Sequence, residues 1–300
     1  MLDGLDSVFK PLRISIPFLV DIIFVSDPDR IKKIESSSAV DRLHYYETQL
    51  LPWWVQLYFP ATRFYDRQDD LWFSPFESSF NSTYLPRRKY LEEKIATGYS
   101  QEDVQKIAHL LKTDASDEAL ANEMVQIVNQ RFFNGQIPLE ITLAAGATLQ
   151  KITEAFLPWK YFQGIKSQQK IMDFCKDNLD DNIHPLDVGH NIGEVVKLTV
   201  GSLKILRDNL HRSVEDIFTA SAPTTEVPRI ATKASTFNGM LLYPTIPGQT
   251  ILVLNIAKAA AETKDLRFTF GTGSSKRGCI FKDFFINFMK DLQYELQKET

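Results

Sequence analysis

Cysteine is scarce in this sequence: 300 residues carry two, Cys175 and Cys279. Two cysteines cannot build a disulfide framework, and two alone cannot complete a four-ligand structural zinc site. A reducing compartment, the cytoplasm, is therefore the expected location. A long apolar run is also missing. The stretch from Ile16 to Val25 is interrupted by Asp21 and is about half as long as the ~20 residues a membrane-spanning helix needs, so neither a span nor a signal peptide is expected from it. Basic charge is not in excess. With 34 Lys and Arg against 38 Asp and Glu, the formal charge is -4, which leaves no surplus of cations for phosphates and removes nucleic acid from the expected partners. There is no internal repeat, low-complexity tract or evident linker, so one domain over residues 1–300 is the simplest organisation, expected as a monomer.

What is present is a chain able to bury a core, with 44% hydrophobic residues, and nothing in its size forbids an enzyme. The Ile16–Val25 run, rich in β-branched and aromatic residues and closed by Ser26-Asp27-Pro28, reads as a buried strand leading into a helix N-cap and a short helix over 28–34. Residues 44–86 are aromatic and Pro-punctuated, with weak periodicity. Helical spacing then dominates over 87–97, 101–112 and 116–133, the last with Ala119, Met124, Ile127, Val128 and Phe132 on one apolar face. It continues near 138–156 and 167–178 and through a long helix at 186–210. Residues 236–244 and 247–255 read as β segments joined in a hairpin by Pro-Gly turn chemistry. The C-terminus is a helix whose apolar stripe runs through Ile280, Phe281, Phe284, Phe285, Phe288, Met289, Leu292 and Leu296. The fold class is thus mainly α with a small β part.

The stripe starts immediately after Cys279, which follows the glycine-rich loop Phe270-Gly271-Thr272-Gly273-Ser274-Ser275-Lys276-Arg277-Gly278. Two readings stand on these residues alone. Cys279 is either a small buried hydrophobe beside an ordinary glycine turn, or a metal thiolate. The second reading has Cys279 capping the helix, favoured by the helix N-terminus and by Lys276 and Arg277.

Phe270-Gly271-Thr272-Gly273 followed by Arg277-Gly278-Cys279 resembles the haem-binding loop of the cytochrome P-450 superfamily, Phe-Gly-x-Gly-x-Arg-x-Cys. Two extra residues separate Gly273 from Arg277, and Phe281 stands where the family usually has glycine. The inserted loop and Cys279-Ile280-Phe281-Lys282-Asp283 are similar to the allene oxide synthase and hydroperoxide lyase branch. Glu226-Val227-Pro228-Arg229 resembles the family's Glu-x-x-Arg ion pair. Ile246-Pro247-Gly248-Gln249-Thr250 resembles its Ile-Pro-x-Gly-Thr segment, with Asn255 and Ala257 where an Ala-Asn-x-Asp stretch begins. Val188-Gly189-His190-Asn191-Ile192 resembles the family's Ala-Gly-x-Asp/Glu-Thr on the long helix.

The resemblance implies a shortened cytochrome P-450-like fold carrying haem b, with Cys279 as the axial iron ligand and Phe270, Gly273 and Arg277 in the loop around it. The compression falls on the leading helix, on the stretch before Phe268 and on the region between Arg88 and the long helix. Arg87 and Arg88 resemble the start of the helix that supplies a cationic partner for the haem propionates, with Arg277 as a second source; as residues alone they are equally well solvated surface charges. Cys175 lies on an apolar helical face and reads as packing.

The acid and threonine that move protons during oxygen activation in monooxygenases are replaced by Asn191 and Ile192. Asn191 can only hydrogen-bond, while His190 and Glu194 are acid or base candidates if turned inward; otherwise His190 is an ordinary core or surface histidine. The expected activity is therefore that of a lyase, dehydratase or isomerase acting on an oxidised or hydrophobic small molecule such as a lipid hydroperoxide, without dioxygen activation. A monooxygenase or peroxygenase, a non-catalytic haem-binding protein and a plain helical domain are the alternatives, and the need for a redox partner is left open.

Overall fold

The computed structural model describes residues 12–16, 20–42, 64–66, 71–73, 84–138, 140–141, 144, 166, 169–174, 193–237, 240–243, 249–270 and 278–298. In chain order its elements are strands β1 (Arg13–Ile16) and β2 (Val20–Val25), helix α1 (Pro28–Ser36), and strands β3 (Val40–Arg42), β4 (Phe64–Asp66) and β5 (Leu71–Phe73). Helices α2 (Tyr84–Ile95), α3 (Gln101–Lys112), α4 (Asp117–Phe133), α5 (Gly193–Arg207) and α6 (Val214–Ala220) follow. Strands β6 (Glu226–Ala231), β7 (Ser235–Phe237), β8 (Met240–Leu242) and β9 (Gln249–Asn255) lead to helix α7 (Ile256–Thr263). A 3-10 turn at Phe268–Phe270 and helix α8 (Lys282–Gln297) complete the order. The chain is mainly helical with a smaller β part, as its periodicities predict.

Contacts divide the chain into two compact units. One comprises Met1–Pro52, Phe76–Asn81 and Glu215–Cys279; the other comprises Trp53–Pro75, Ser82–Val214 and Ile280–Thr300. In the first, a five-stranded sheet has the order β1-β2-β9-β6-β3. β2 and β9 run parallel, from Val20 opposite Gln249 to Val25 opposite Leu254, and the other pairings are antiparallel. Along β2, Ile23 and Val25 are buried while Ile22 and Phe24 are half-buried, the alternation of a strand with one core face. Asp21, which breaks the apolar run, is buried as well, and Arg13 and Ser15 of β1 donate hydrogen bonds to its carboxylate. The Asp27 side chain caps α1 by accepting from the Arg30 N–H at 2.8 Å, with Pro28 at the first helical position. That helix sends Ile31 and Ile34 into a core shared with Ile23, Leu252, Leu254, Ala259 and Phe268.

Two expectations for this unit change. Glu226-Val227-Pro228-Arg229 lies in β6, and Arg229 pairs with Glu35 of α1 rather than with Glu226. Pro228 cannot donate the N–H a helix interior requires. In β6 it stands outside the described pairing with β3, which runs from Arg229 to Ala231. The second change concerns the hairpin. β7 pairs with β8, whereas β9 pairs with β2 and β6. Among the described residues, the 236–244 and 247–255 segments are joined at Tyr243 and Thr250, where the Thr250 N–H donates to the Tyr243 carbonyl at 2.9 Å. Flanked on both sides, β9 buries Leu252 and Leu254 completely, which a two-stranded hairpin could not do.

In the second unit, α8 packs on α3 and α5, and α4 packs on α2, α3 and α5. The expected helices over 101–112 and 116–133 are found as α3 and α4, and Ser100 and Ser116 cap them. On α4, Met124, Ile127, Val128 and Phe132 are buried, while Leu120 takes the deep position beside a half-buried Ala119. Most of the C-terminal stripe is buried too: Phe284, Phe285, Phe288, Met289, Leu292 and Leu296. Of the long 186–210 helix, residues 193–207 are helical; residues 186–192 lie outside the described residues. Among the described residues, no helix is long and apolar enough to cross a membrane.

Candidate functional site

The loop that carries Cys279 is fastened at both ends within the first unit. Its entry is the 3-10 turn, built by N–H donations from Phe268 to Asp265 O, Thr269 to Leu266 O and Phe270 to Arg267 O at 3.1, 3.1 and 3.3 Å. Below the turn, Arg267 grips Asp265 through Nε at 2.9 Å, a bond that holds the Asp265 carboxyl below the usual carboxylate range. Phe268 is buried in the core, and the buried Thr269 hydroxyl donates to the Phe218 carbonyl of α6 at 3.2 Å. At the exit, the Cys279 N–H donates to the Phe270 carbonyl at 2.8 Å. That bond brings the two ends of the glycine-rich segment together across residues 271–277.

Cys279 itself is an exposed thiol outside any disulfide. This overturns the reading of a small buried hydrophobe. Cysteine without a disulfide is among the residue types most often buried, so an exposed one at the closure of a loop is better suited to reaction or ligation than to packing. Cys279 does not cap the final helix, as its spacing suggested. Phe281 is the N-cap, with no side-chain hydrogen bond to the first turn, and Cys279 stands two residues ahead of it.

Among the described residues, the structure brings the predicted site residue Phe270 to Cys279. Arg87 and Arg88 lie in α2. The Arg88 side chain is largely buried, and its Nε donates to Glu92 at 2.7 Å one turn on, so part of its charge is already engaged. Glu194 is the second residue of α5. His190, Asn191, Gly273 and Arg277 lie outside the described residues, as does Cys175. Thr269 and Phe218 were missed by sequence reasoning: the one trace of their bond is a hydroxyl residue between two phenylalanines, and its acceptor is 51 residues away.

The donor set fits a haem. Among the described residues, no three His, Cys, Asp or Glu side chains are grouped as a metal site made of protein ligands would need. A haem iron asks less of the protein, because the porphyrin supplies the equatorial ligands and one thiolate is a sufficient axial one. A single exposed cysteine on a closed loop meets that requirement.

The sequence matches no protein-family model and no curated protein. The fold does have solved counterparts. A six-coordinated cytochrome P450 from Thermus thermophilus aligns with a TM-score of 0.55 and 12% identity, over 99% of this chain and 89% of that one. The cytochrome P450 PksS of the bacillaene polyketide synthase from Bacillus subtilis 168 aligns with a TM-score of 0.49 and 10% identity, over 97% and 85%. Resting on the first of these, and on the mixed sheet and helices described above, the chain has a cytochrome P450-like fold.

Proposed function

We propose that this chain is a haem-thiolate enzyme, one domain over residues 1–300, in which Cys279 supplies the axial ligand to haem b. The observation that carries the reading is the exposed Cys279 thiol at the end of a loop closed by its own N–H on Phe270, in a chain of cytochrome P450-like fold. In this reading the glycines at 271, 273 and 278 let the loop backbone approach a flat cofactor closely. Arg87 and Arg277 are the preferred cationic partners for its propionates, ahead of Arg88, which holds Glu92.

The substrate class is an oxidised, hydrophobic small molecule, with a lipid hydroperoxide as the leading example, and the reaction is a dehydration, isomerisation or cleavage. Haem bound at Cys279 would supply the redox chemistry for breaking the O–O bond, and the protein tunes it through the thiolate and its hydrogen bonds. The hydroperoxide is its own oxidant, so neither dioxygen nor an electron donor is consumed. Asn191 suits this chemistry better than an acid would. Its amide can hydrogen-bond a peroxide oxygen but cannot relay a proton, and Ile192 offers no hydroxyl. His190 or Glu194 is assigned the remaining proton transfer.

Mixing the haem-loaded protein with a fatty-acid hydroperoxide, without dioxygen or reductase, tests this reading. Consumption of hydroperoxide with formation of a dehydrated or cleaved product is expected. No consumption, together with turnover when dioxygen and a reductase are supplied, would make the protein a monooxygenase instead.

A further inference from the structure

We infer that Thr269 is a positioning residue for the Cys279 thiolate, an inference that rests on the haem-thiolate reading above. Thr269 is only 5% exposed and uses its hydroxyl across a long sequence separation, bonding the Phe218 carbonyl at 3.2 Å. Phe218 lies among the last four residues of α6, whose carbonyls cannot all be served from within the helix. The hydroxyl therefore ties the 3-10 turn to the end of a helix. The next residue, Phe270, presents the carbonyl that receives the Cys279 N–H at 2.8 Å.

A continuous path of two hydrogen bonds and one peptide unit thus runs from α6 to the backbone of the ligand residue. Phe268 on the other side of Thr269 is buried in the core, so the turn is held from below by packing and sideways by the hydroxyl. Packing fixes the height of the turn and its own backbone bonds set its shape, while the hydroxyl bond is a directional tie from the turn to α6. Without it the turn loses that tie, and the Phe270 carbonyl that receives the Cys279 N–H is held less closely relative to α6. A wandering amide moves the Cβ–Sγ vector that has to meet the iron, and ligand placement within a fraction of an ångström is what a preorganised site requires.

The test compares Thr269→Val, which keeps the shape, with Thr269→Ser, which keeps the hydroxyl, both as haem-loaded protein. Two quantities are read: the thiolate-type Soret band of the ferrous carbon-monoxide complex, and hydrogen exchange at the Cys279 amide. T269V should bind haem, lose part of the thiolate-type band to a form without thiolate ligation, and exchange the Cys279 amide about fivefold faster, the factor for one lost hydrogen bond of ordinary strength. T269S should match the parent in both. If T269V disturbs folding, Thr269→Ala removes the hydroxyl without the extra methyl and should give the same two changes. A parent with the thiolate band and a T269V variant with unchanged band and exchange overturns the positioning role alone. A parent that shows no thiolate band overturns the haem-thiolate reading and this inference with it.

Discussion

Arg229 of β6 and Glu35 of α1 form a buried ion pair, with Nε and Oε1 2.6 Å apart and side chains 7% and 2% exposed. The second guanidinium nitrogen reaches Oε2 at 3.2 Å, making the pair bidentate. It joins the sheet to the first helix across 194 positions of sequence. Glu226, the partner that sequence spacing offered, is exposed and lies at the other end of the same strand.

Removing one member of this pair leaves a buried charge without its counter-ion. Arg229→Met or Glu35→Met should each destabilise the protein by about 3–5 kcal/mol, read as a fall in the urea midpoint. The double variant should lose less than the sum of the two, since the stranded charge is then gone. Glu226→Ala should change stability by no more than about 0.5 kcal/mol. A large loss for Glu226→Ala with a small one for Glu35→Met would reverse the assignment.

These cases show what was legible in the sequence and why. Helix α3 was found to the residue, because Ser100 caps it and Val104, Ile107 and Leu111 repeat at helical spacing; both signals are local. The Arg229 partner and the β2 flank of β9 were not legible, because each is contributed by a segment more than a hundred residues away in the chain. At the site, the spacing of Phe270 and Cys279 predicted one loop, and the backbone bond between them closes it. The exposure of the thiol and the Thr269 anchor depend on what packs beneath the loop, and spacing carries no information about that.

Asp21 should give the protein an acid-dependent share of its stability. Burial works to raise the Asp21 carboxyl's pKa, but hydrogen bonds from Arg13 and Ser15 and the Arg13 charge outweigh it, leaving the carboxyl below its ordinary range. A folded pKa below the unfolded value of about 4 gives stability that is complete above that value and is lost as pH falls through the folded one. The stability difference between parent and Asp21→Asn should therefore hold steady from about pH 7 to pH 5 and shrink below about pH 4. Urea midpoints measured across that range check it; a gap that persists unchanged into acid contradicts it.

Asp103 serves two elements at once. One carboxylate oxygen accepts the Ser100 N–H at 2.7 Å, closing a capping box on α3, and also accepts Arg131 Nε of α4 at 2.8 Å. Asp103→Ala should cost roughly 2–3 kcal/mol, combining a lost cap with a charged hydrogen bond. Asp103→Asn, which keeps an acceptor, should cost less. Equal urea midpoints for parent and alanine variant would mean that α3 and α4 are held by packing alone.

The absorption spectrum of the purified protein, recorded beside that of Cys279→Ser, decides whether Cys279 holds a haem. A coloured parent whose ferrous carbon-monoxide complex has a thiolate-type Soret band is expected, with loss of that band in the variant while the fold, judged by far-ultraviolet circular dichroism, is kept. A colourless parent, or a band that survives the loss of the Cys279 sulfur, would contradict the haem-thiolate reading.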